Sequence, residues 1–178
     1  MASVPGRRGT LRHLWAPWRM GYVTTVTEQS KSCIFCDKPA ANDDEANLIL
    51  YRGDSVFIMM NAFPYNSGHL LVAPYRHISD PLEMAPDESG ELLYGVRVGM
   101  TALNGALRPE GYNIGANIGK VSGAGYADHL HLHIVPRWSG DTNFMAVAAE
   151  TRVVPESLRD TYQRLKKALD QQQDGSGE

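Results

Sequence analysis

Apolar and polar positions along the chain sort into five short runs and two longer stripes. Asn47 to Arg52, Val56 to Asn61, His69 to Pro74, Tyr112 to Ile118 and His129 to Pro136 are rich in branched and aromatic residues and read as strands. Arg52-Gly53-Asp54 supplies the turn between the first two, and the spacing predicts antiparallel meander pairs. Leu93, Val96, Met100, Leu103 and Leu107 recur at intervals of three and four, which predicts one long helix. It starts near Pro86-Asp87-Glu88 and stops before Pro109-Glu110-Gly111. A second stripe, Leu158, Tyr162, Leu165 and Leu169, begins after Pro155 and reads as a C-terminal helix. The fold class expected is α+β, with an antiparallel sheet of about five strands packed by one long helix, plus the C-terminal helix.

A length of 178 residues suits one domain with modest extensions. Residues 1–30 read as an N-terminal extension. Its Leu14-Trp15-Ala16-Pro17-Trp18-Arg19-Met20 carries too much aromatic area to stay solvated and should dock on the body or on a second subunit. Residues 31–145 form the domain, and 146–178 the C-terminal helix and a disordered tail, since QQQDGSGE has little apolar surface to offset its ordering entropy.

Seventeen basic against 20 acidic residues give a net charge of −3, which disfavours a broadly basic nucleic-acid binder. Apolar stretches such as Val56 to Met60 fall far short of the roughly 20 residues that span a bilayer, so no membrane partner is expected. No apolar segment follows Arg7, Arg8 and Arg12, so a secretory signal is not expected and the cytoplasm is the default location. In that reducing compartment Cys33 and Cys36 point to a metal or redox role rather than a structural disulfide.

The densest chemistry lies in Asp128-His129-Leu130-His131-Leu132-His133-Ile134-Val135, where three of the six histidines alternate with leucine. On a strand this puts three imidazoles on one face and the leucines on the other. Residues two apart are about 6.8 Å apart at Cα, so the outer histidines lie about 13.6 Å apart. One metal ion cannot easily take all three, and they must divide the work.

His129 to Val135 resembles the signature of the histidine triad (HIT) superfamily, His-φ-His-φ-His-φ-φ with φ apolar. The likeness runs over roughly residues 33–145. Leu14 to Met20, Pro64-Tyr65-Asn66-Ser67-Gly68-His69, Pro74-Tyr75-Arg76-His77 and Pro136-Arg137-Trp138 make it most similar to the bacterial diadenosine tetraphosphate (Ap4A) phosphorylases. The resemblance implies a HIT-like fold, a homodimer with a joined sheet, and cleavage at the α-phosphate of a nucleotide, adenine being the expected base. It implies His131 as nucleophile, with His133 and His69 on phosphate oxygens. A neutral imidazole suits that role, because one nitrogen offers a lone pair while the other donates to a fixed acceptor.

Gly119-Lys120-Val121-Ser122-Gly123-Ala124-Gly125-Tyr126, just before the triad, has the composition of an amide-rich phosphate loop. Asn117 would add a side-chain donor from the preceding strand, and Gly125 and Tyr126 would lie beside the phosphates. Many HIT hydrolases have glutamine where this chain has Gly125, and the smaller residue leaves room for orthophosphate as acceptor. The bacterial phosphorylases have Gly-Ser where this chain has Ala124-Gly125, so water stays open as the alternative. Asn61 stands where many HIT proteins bind the ribose through aspartate, and its amide can donate and accept there.

A lone Cys-x-x-Cys fits zinc or thioredoxin-like chemistry, but no βαβ pattern surrounds Cys33. By resemblance Cys33, Cys36, His77 and His129 form a structural zinc site. Three alternatives stay open: a HIT hydrolase, a nucleoside phosphoramidase, and a zinc-stabilised nucleotide-binding module without catalysis. Arg137 fits a distal phosphate or a surface ion pair equally well.

Overall fold

A computed structural model describes residues 33–141 and 156–175. The N-terminal extension with its tryptophans, residues 142–155 and residues 176–178 lie outside the described residues. The strands are β1 (Ile49–Arg52), β2 (Val56–Met60), β3 (Leu70–Pro74), β4 (Gly111–Gly115) and β5 (Leu132–Arg137). They form one antiparallel sheet in the order β1-β2-β3-β5-β4. The helices are α1 (Ile34–Ala40), α2 (Asp44–Asn47), α3 (Pro86–Leu107) and α4 (Leu158–Gly175).

Strand alternation sorts the apolar residues into two cores. Val56, Ile58 and Met60 of β2, Leu70 and Val72 of β3 and Ile134 of β5 face α3 and α4. Phe57, Met59, Leu71 and Ala73 face the other way and pack with Phe35 and Ile49. β2 and β3 are buried throughout, which explains their unbroken apolar runs. On β5, Leu132 and Ile134 belong to the helix side, so His133 is left to the opposite face.

The long helix has the expected bounds but a different buried stripe. Leu92, Gly95, Val96, Gly99, Ala102 and Leu103 are buried, whereas Leu93 is 65% exposed. Gly95 and Gly99 let the helix lie close to the sheet: a Cβ there would come within 2.8 Å of Val72 Cγ1 and of Ile134 Cδ1 respectively. Each glycine costs the helix about 0.8–1.0 kcal/mol, while burying each large aliphatic side chain returns about 1.5–3 kcal/mol. Pro86 occupies the first turn, Glu88 Oε2 accepts from the Ala85 N–H at 2.9 Å, and Arg108 closes the helix at φ 50°.

Other boundaries also shift. The fourth strand ends at Gly115 instead of reaching Ile118, and the fifth begins at Leu132. The C-terminal helix is capped by Ser157, whose Oγ accepts from the Asp160 N–H at 3.1 Å. It runs to Gly175, so much of the expected disordered tail is helical. Gln171, Gln172 and Gln173 are good helix formers, which extends α4 beyond Leu169, a buried residue of the core. Helices α1 and α2 fall in a segment where no helix was expected. Among the described residues no helix is long and apolar enough to cross a membrane.

Candidate active site and metal centre

Two clusters meet on the sheet face opposite α3. The first is built by the N-terminus of α1 and the chain leaving β3. Cys33 is the N-cap of α1, Cys36 sits in its first turn, and His77 lies three residues beyond β3. His129 completes the group, and one ligand atom from each lies within 4.8 Å of the others. Cys33 Sγ is 3.3 Å from His129 Nδ1, Cys36 Sγ is 3.4 Å from His77 Nδ1 and 3.7 Å from His129 Nδ1, and the two Nδ1 atoms are 3.3 Å apart. Tetrahedral zinc with bonds of about 2.3 Å to sulfur and 2.0–2.1 Å to nitrogen sets sulfur and nitrogen about 3.6 Å apart and two nitrogens about 3.3 Å apart. The donor set and its spacing therefore fit a tetrahedral metal ion.

The protonation pattern agrees. His129 Nε2 is 2.9 Å from the Pro74 carbonyl, which only accepts, so this nitrogen donates and Nδ1 turns its lone pair to the cluster. Burial, then the charges of His77 and His131, push His129 below its ordinary value, against the bond to Pro74. Desolvation and the neighbouring Cys33 push the Cys36 thiol up to about 11, the penalty a cation among these sulfurs would remove. The Cys-x-x-Cys does open a helix, which a redox motif also does, but two histidines close the group around it.

The second cluster holds His131, His133 and His69. His129 and His131 precede β5 rather than lying on it, as the alternation had implied, and the extended chain is held there by the Leu130 N–H donating to the Ile78 carbonyl at 2.6 Å. The side-chain alternation survives: Leu130 is buried, Leu132 packs on the helix-side core, and the His131 and His133 ring centroids are 4.9 Å apart. His131 Nδ1 lies 2.8 Å from the His129 carbonyl. It must donate there, which leaves the lone pair on Nε2. Burial lowers the His131 pKa from its ordinary value, opposed by that backbone bond, and so favours the neutral ring.

His69 is fully buried, and its Nδ1 accepts from the Tyr65 N–H at 3.1 Å, with Asn61 Nδ2 at 3.3 Å. A neutral His69 then carries its proton on Nε2 and donates it to His133 Nδ1 at 2.9 Å. His133 in turn carries its proton on Nε2. Two rings and one backbone amide thus fix one tautomer chain.

Asn61 follows the second strand and turns the chain, its Oδ1 accepting from the Phe63 N–H at 2.9 Å. Tyr126 packs edge-on against Phe35, centroids 5.7 Å apart. Asn117 lies two residues past β4, on the loop rather than the strand, and Gly125 is exposed on the same loop. Part of that loop is an ordered turn: Gly119 and Gly123, at φ 77° and 86°, flank Lys120–Ser122, and Ser122 Oγ donates to the Gly119 carbonyl. Arg137 is committed to an ion pair, with Nε 2.5 Å from Asp141 Oδ2 and Nη1 2.8 Å from Asn113 Oδ1. Asp141 also accepts from Asn66 Nδ2, which reaches the Pro136 carbonyl and ties the loop before His69 to β5.

Two residues to which the sequence reading gave no role lie against the cluster. Tyr65 stacks on His69 with centroids 4.8 Å apart, and Phe35 stacks on His131 at 4.7 Å. Each had a weak signal, Tyr65 in the turn before His69 and Phe35 as the aromatic inside Cys-x-x-Cys.

Comparison with known proteins agrees with this geometry. A protein of Mycobacterium tuberculosis named AP-4-A phosphorylase is 37% identical over 90% of this chain and 85% of its own. An uncharacterised HIT-like protein of Saccharolobus solfataricus is 35% identical over 77% of this chain and 94% of its own. A Zn-bound histidine triad family protein from Mycobacterium smegmatis superposes with a TM-score of 0.65 at 28% identity, covering 83% of this chain and 99% of that one. The HIT domain profile matches residues 42–140, and the chain belongs to the HIT domain family.

Proposed function

We propose that the protein is a nucleotidyltransferase that cleaves dinucleoside polyphosphates such as Ap4A at an α-phosphate, with orthophosphate as the preferred acceptor. The observation that carries this reading is the His131 Nδ1 bond to the His129 carbonyl, which leaves the lone pair of the neutral ring on Nε2, where it can serve as a nucleophile. In the first step Nε2 of His131 attacks the α-phosphorus. The bond to the bridging oxygen breaks, and the leaving nucleoside polyphosphate takes the electron pair. His133 donates from Nε2 to a phosphate oxygen, and His69 holds it in that tautomer. In the second step an orthophosphate oxygen attacks the nucleotidyl phosphorus, and the P–N bond breaks, returning the lone pair to His131. With Ap4A the products are ATP and ADP.

Backbone amides of Gly119–Tyr126 and the Asn117 amide would hold the phosphates, with Gly125 leaving space for the acceptor anion. Asn61 Oδ1 has a second lone pair for a ribose hydroxyl. Cys33, Cys36, His77 and His129 would hold zinc, whose four filled positions make it a structural ion without an activated water. A homodimer joined through β4 is supported by that strand's place at the sheet edge and by the exposed Ile114 on it. The relative named AP-4-A phosphorylase supports the substrate class.

The test is turnover of Ap4A with and without orthophosphate. ADP plus ATP, dependent on phosphate, is expected; AMP plus ATP at a rate indifferent to phosphate would reassign the acceptor to water. Denaturation during turnover should trap an acid-labile nucleotidyl group on the peptide containing His131.

A further inference from the structure

We infer that Phe35 is a positioning residue for His131, carrying the constraint of the Cys33–Cys36–His77–His129 centre to the nucleophile, so that metal loading sets the orientation of the His131 ring. The inference rests on the reading of His131 as nucleophile and adds a coupling between the two clusters.

A single hydrogen bond from Nδ1 to the His129 carbonyl leaves the imidazole able to rock about that line. A second constraint is needed to hold the Nε2 lone pair in one direction, and the structure supplies it as a clamp. Phe35 lies on one face of His131, centroids 4.7 Å apart and planes 24° apart. His133 approaches in a T-shaped arrangement, 4.9 Å away at 67°.

Phe35 is itself 1% exposed and has little room to move. It leans on His129 at 5.1 Å and 33° and takes the edge of Tyr126. Its backbone is flanked by two ligand cysteines, one the N-cap of α1 and the other in the first turn. α1 has seven residues and includes Pro39, too short and too interrupted to be stable alone. Its first turn is pinned by burial of Phe35 and by the cysteines' partners. His129 doubles the connection, because the residue that offers Nδ1 to the cluster also offers its carbonyl to His131. Release of the ion would loosen both supports of the ring. A displacement of about 1 Å at a reacting atom can lower a rate by about 10²-fold.

The experiment reads the ring directly. In the zinc-loaded protein with ¹⁵N-labelled histidine, assigned by comparison with His131→Asn, His131 should show one tautomer, protonated at Nδ1. Chelation of zinc, at a temperature where far-UV circular dichroism shows the fold retained, should average its two nitrogen signals. Zinc-loaded Phe35→Leu should show the same averaging, with zinc stoichiometry unchanged, kcat on Ap4A at least tenfold lower and KM within about twofold. A single tautomer with wild-type kcat in Phe35→Leu, or an effect on KM alone, would overturn the positioning role. A single tautomer after chelation would overturn the coupling to metal. If Phe35→Leu fails to fold or to bind zinc, the chelated wild type decides. If the wild type leaves Ap4A intact, the proposed substrate fails while the imidazole spectra still decide this inference.

Discussion

Gly90→Ala and Gly95→Ala are the same chemical change five residues apart on α3, and the structure gives them opposite signs. A Cβ on Gly90 meets nothing within 4 Å, so alanine only removes the conformational cost of glycine in a helix. The gain should be about 0.8–1.0 kcal/mol, a rise of about 2–4 °C in Tm for a chain of this size. A Cβ on Gly95 lands 2.8 Å from Val72 Cγ1, where ordinary contact between carbons is about 3.5–4.0 Å. Val72 is fully buried and β-branched, so its χ1 is stiff, and the same Cβ also reaches Val56 Cγ2 at 3.6 Å. Overpacking of this kind costs about 1–3 kcal/mol, against the same gain of about 1 kcal/mol in propensity. The net loss should be on the order of 1 kcal/mol. Equilibrium urea unfolding of the metal-loaded protein reads both, as shifts in midpoint at unchanged slope. A Gly95→Ala variant as stable as wild type, or a Gly90→Ala variant with no gain, would refute the reading of α3 as seated against the sheet through its glycines.

His131→Asn should lower kcat by more than about 10³-fold while nucleotide binding, followed by calorimetry, persists, because the phosphate donors remain; residual turnover of a few per cent would argue against a covalent route. Cys33→Ser should lower zinc stoichiometry and melting temperature together, since a structural ion contributes folding free energy directly; a metal-free variant with wild-type melting would remove zinc from the fold. Gly125→Gln should shift the products toward AMP and weaken stimulation by phosphate, as read by chromatography of the reaction. Glu88 is held down to about 2 by its pair with Arg76 and by the Ala85 amide, from an ordinary 4.5. A depressed carboxylate stabilises fully above pH 4.5 and loses that contribution as pH falls toward 2, so Glu88→Gln should flatten the acid limb of stability in that window.

The sheet was legible because β2 and β3 are unbroken apolar runs, and the triad because alternation with leucine is rare by chance. Leu93 misled, since a helix approaching a sheet this closely marks its inner face with Gly95 and Gly99 as much as with large side chains. α1 and α2 carry no amphipathic period; the first is seated by Phe35 and Pro39 and the second capped by Asp43, whose Oδ1 accepts from the Ala46 N–H. The histidine tautomers were invisible because their fixed points are backbone groups, the Pro74 carbonyl for His129, the His129 carbonyl for His131 and the Tyr65 amide for His69. Arg137 was undecided until the chain turned Asp141 back onto it.

The two borders of the sheet are finished differently. Along β1, α4 reaches over and occupies the outer carbonyls, Tyr162 Oη donating to Ile49 O at 3.0 Å and Lys166 Nζ to Leu50 O at 3.2 Å. β4 has no strand on its outer side among the described residues. A sheet with one open border has a valence of one: two such sheets can satisfy each other about a two-fold axis, and growth stops. Removing residues 158–175 would raise the valence to two. Each chain could then accept a neighbour on either side, and the shortened protein should grow into linear polymers, whereas the pairing proposed above would stop at two chains.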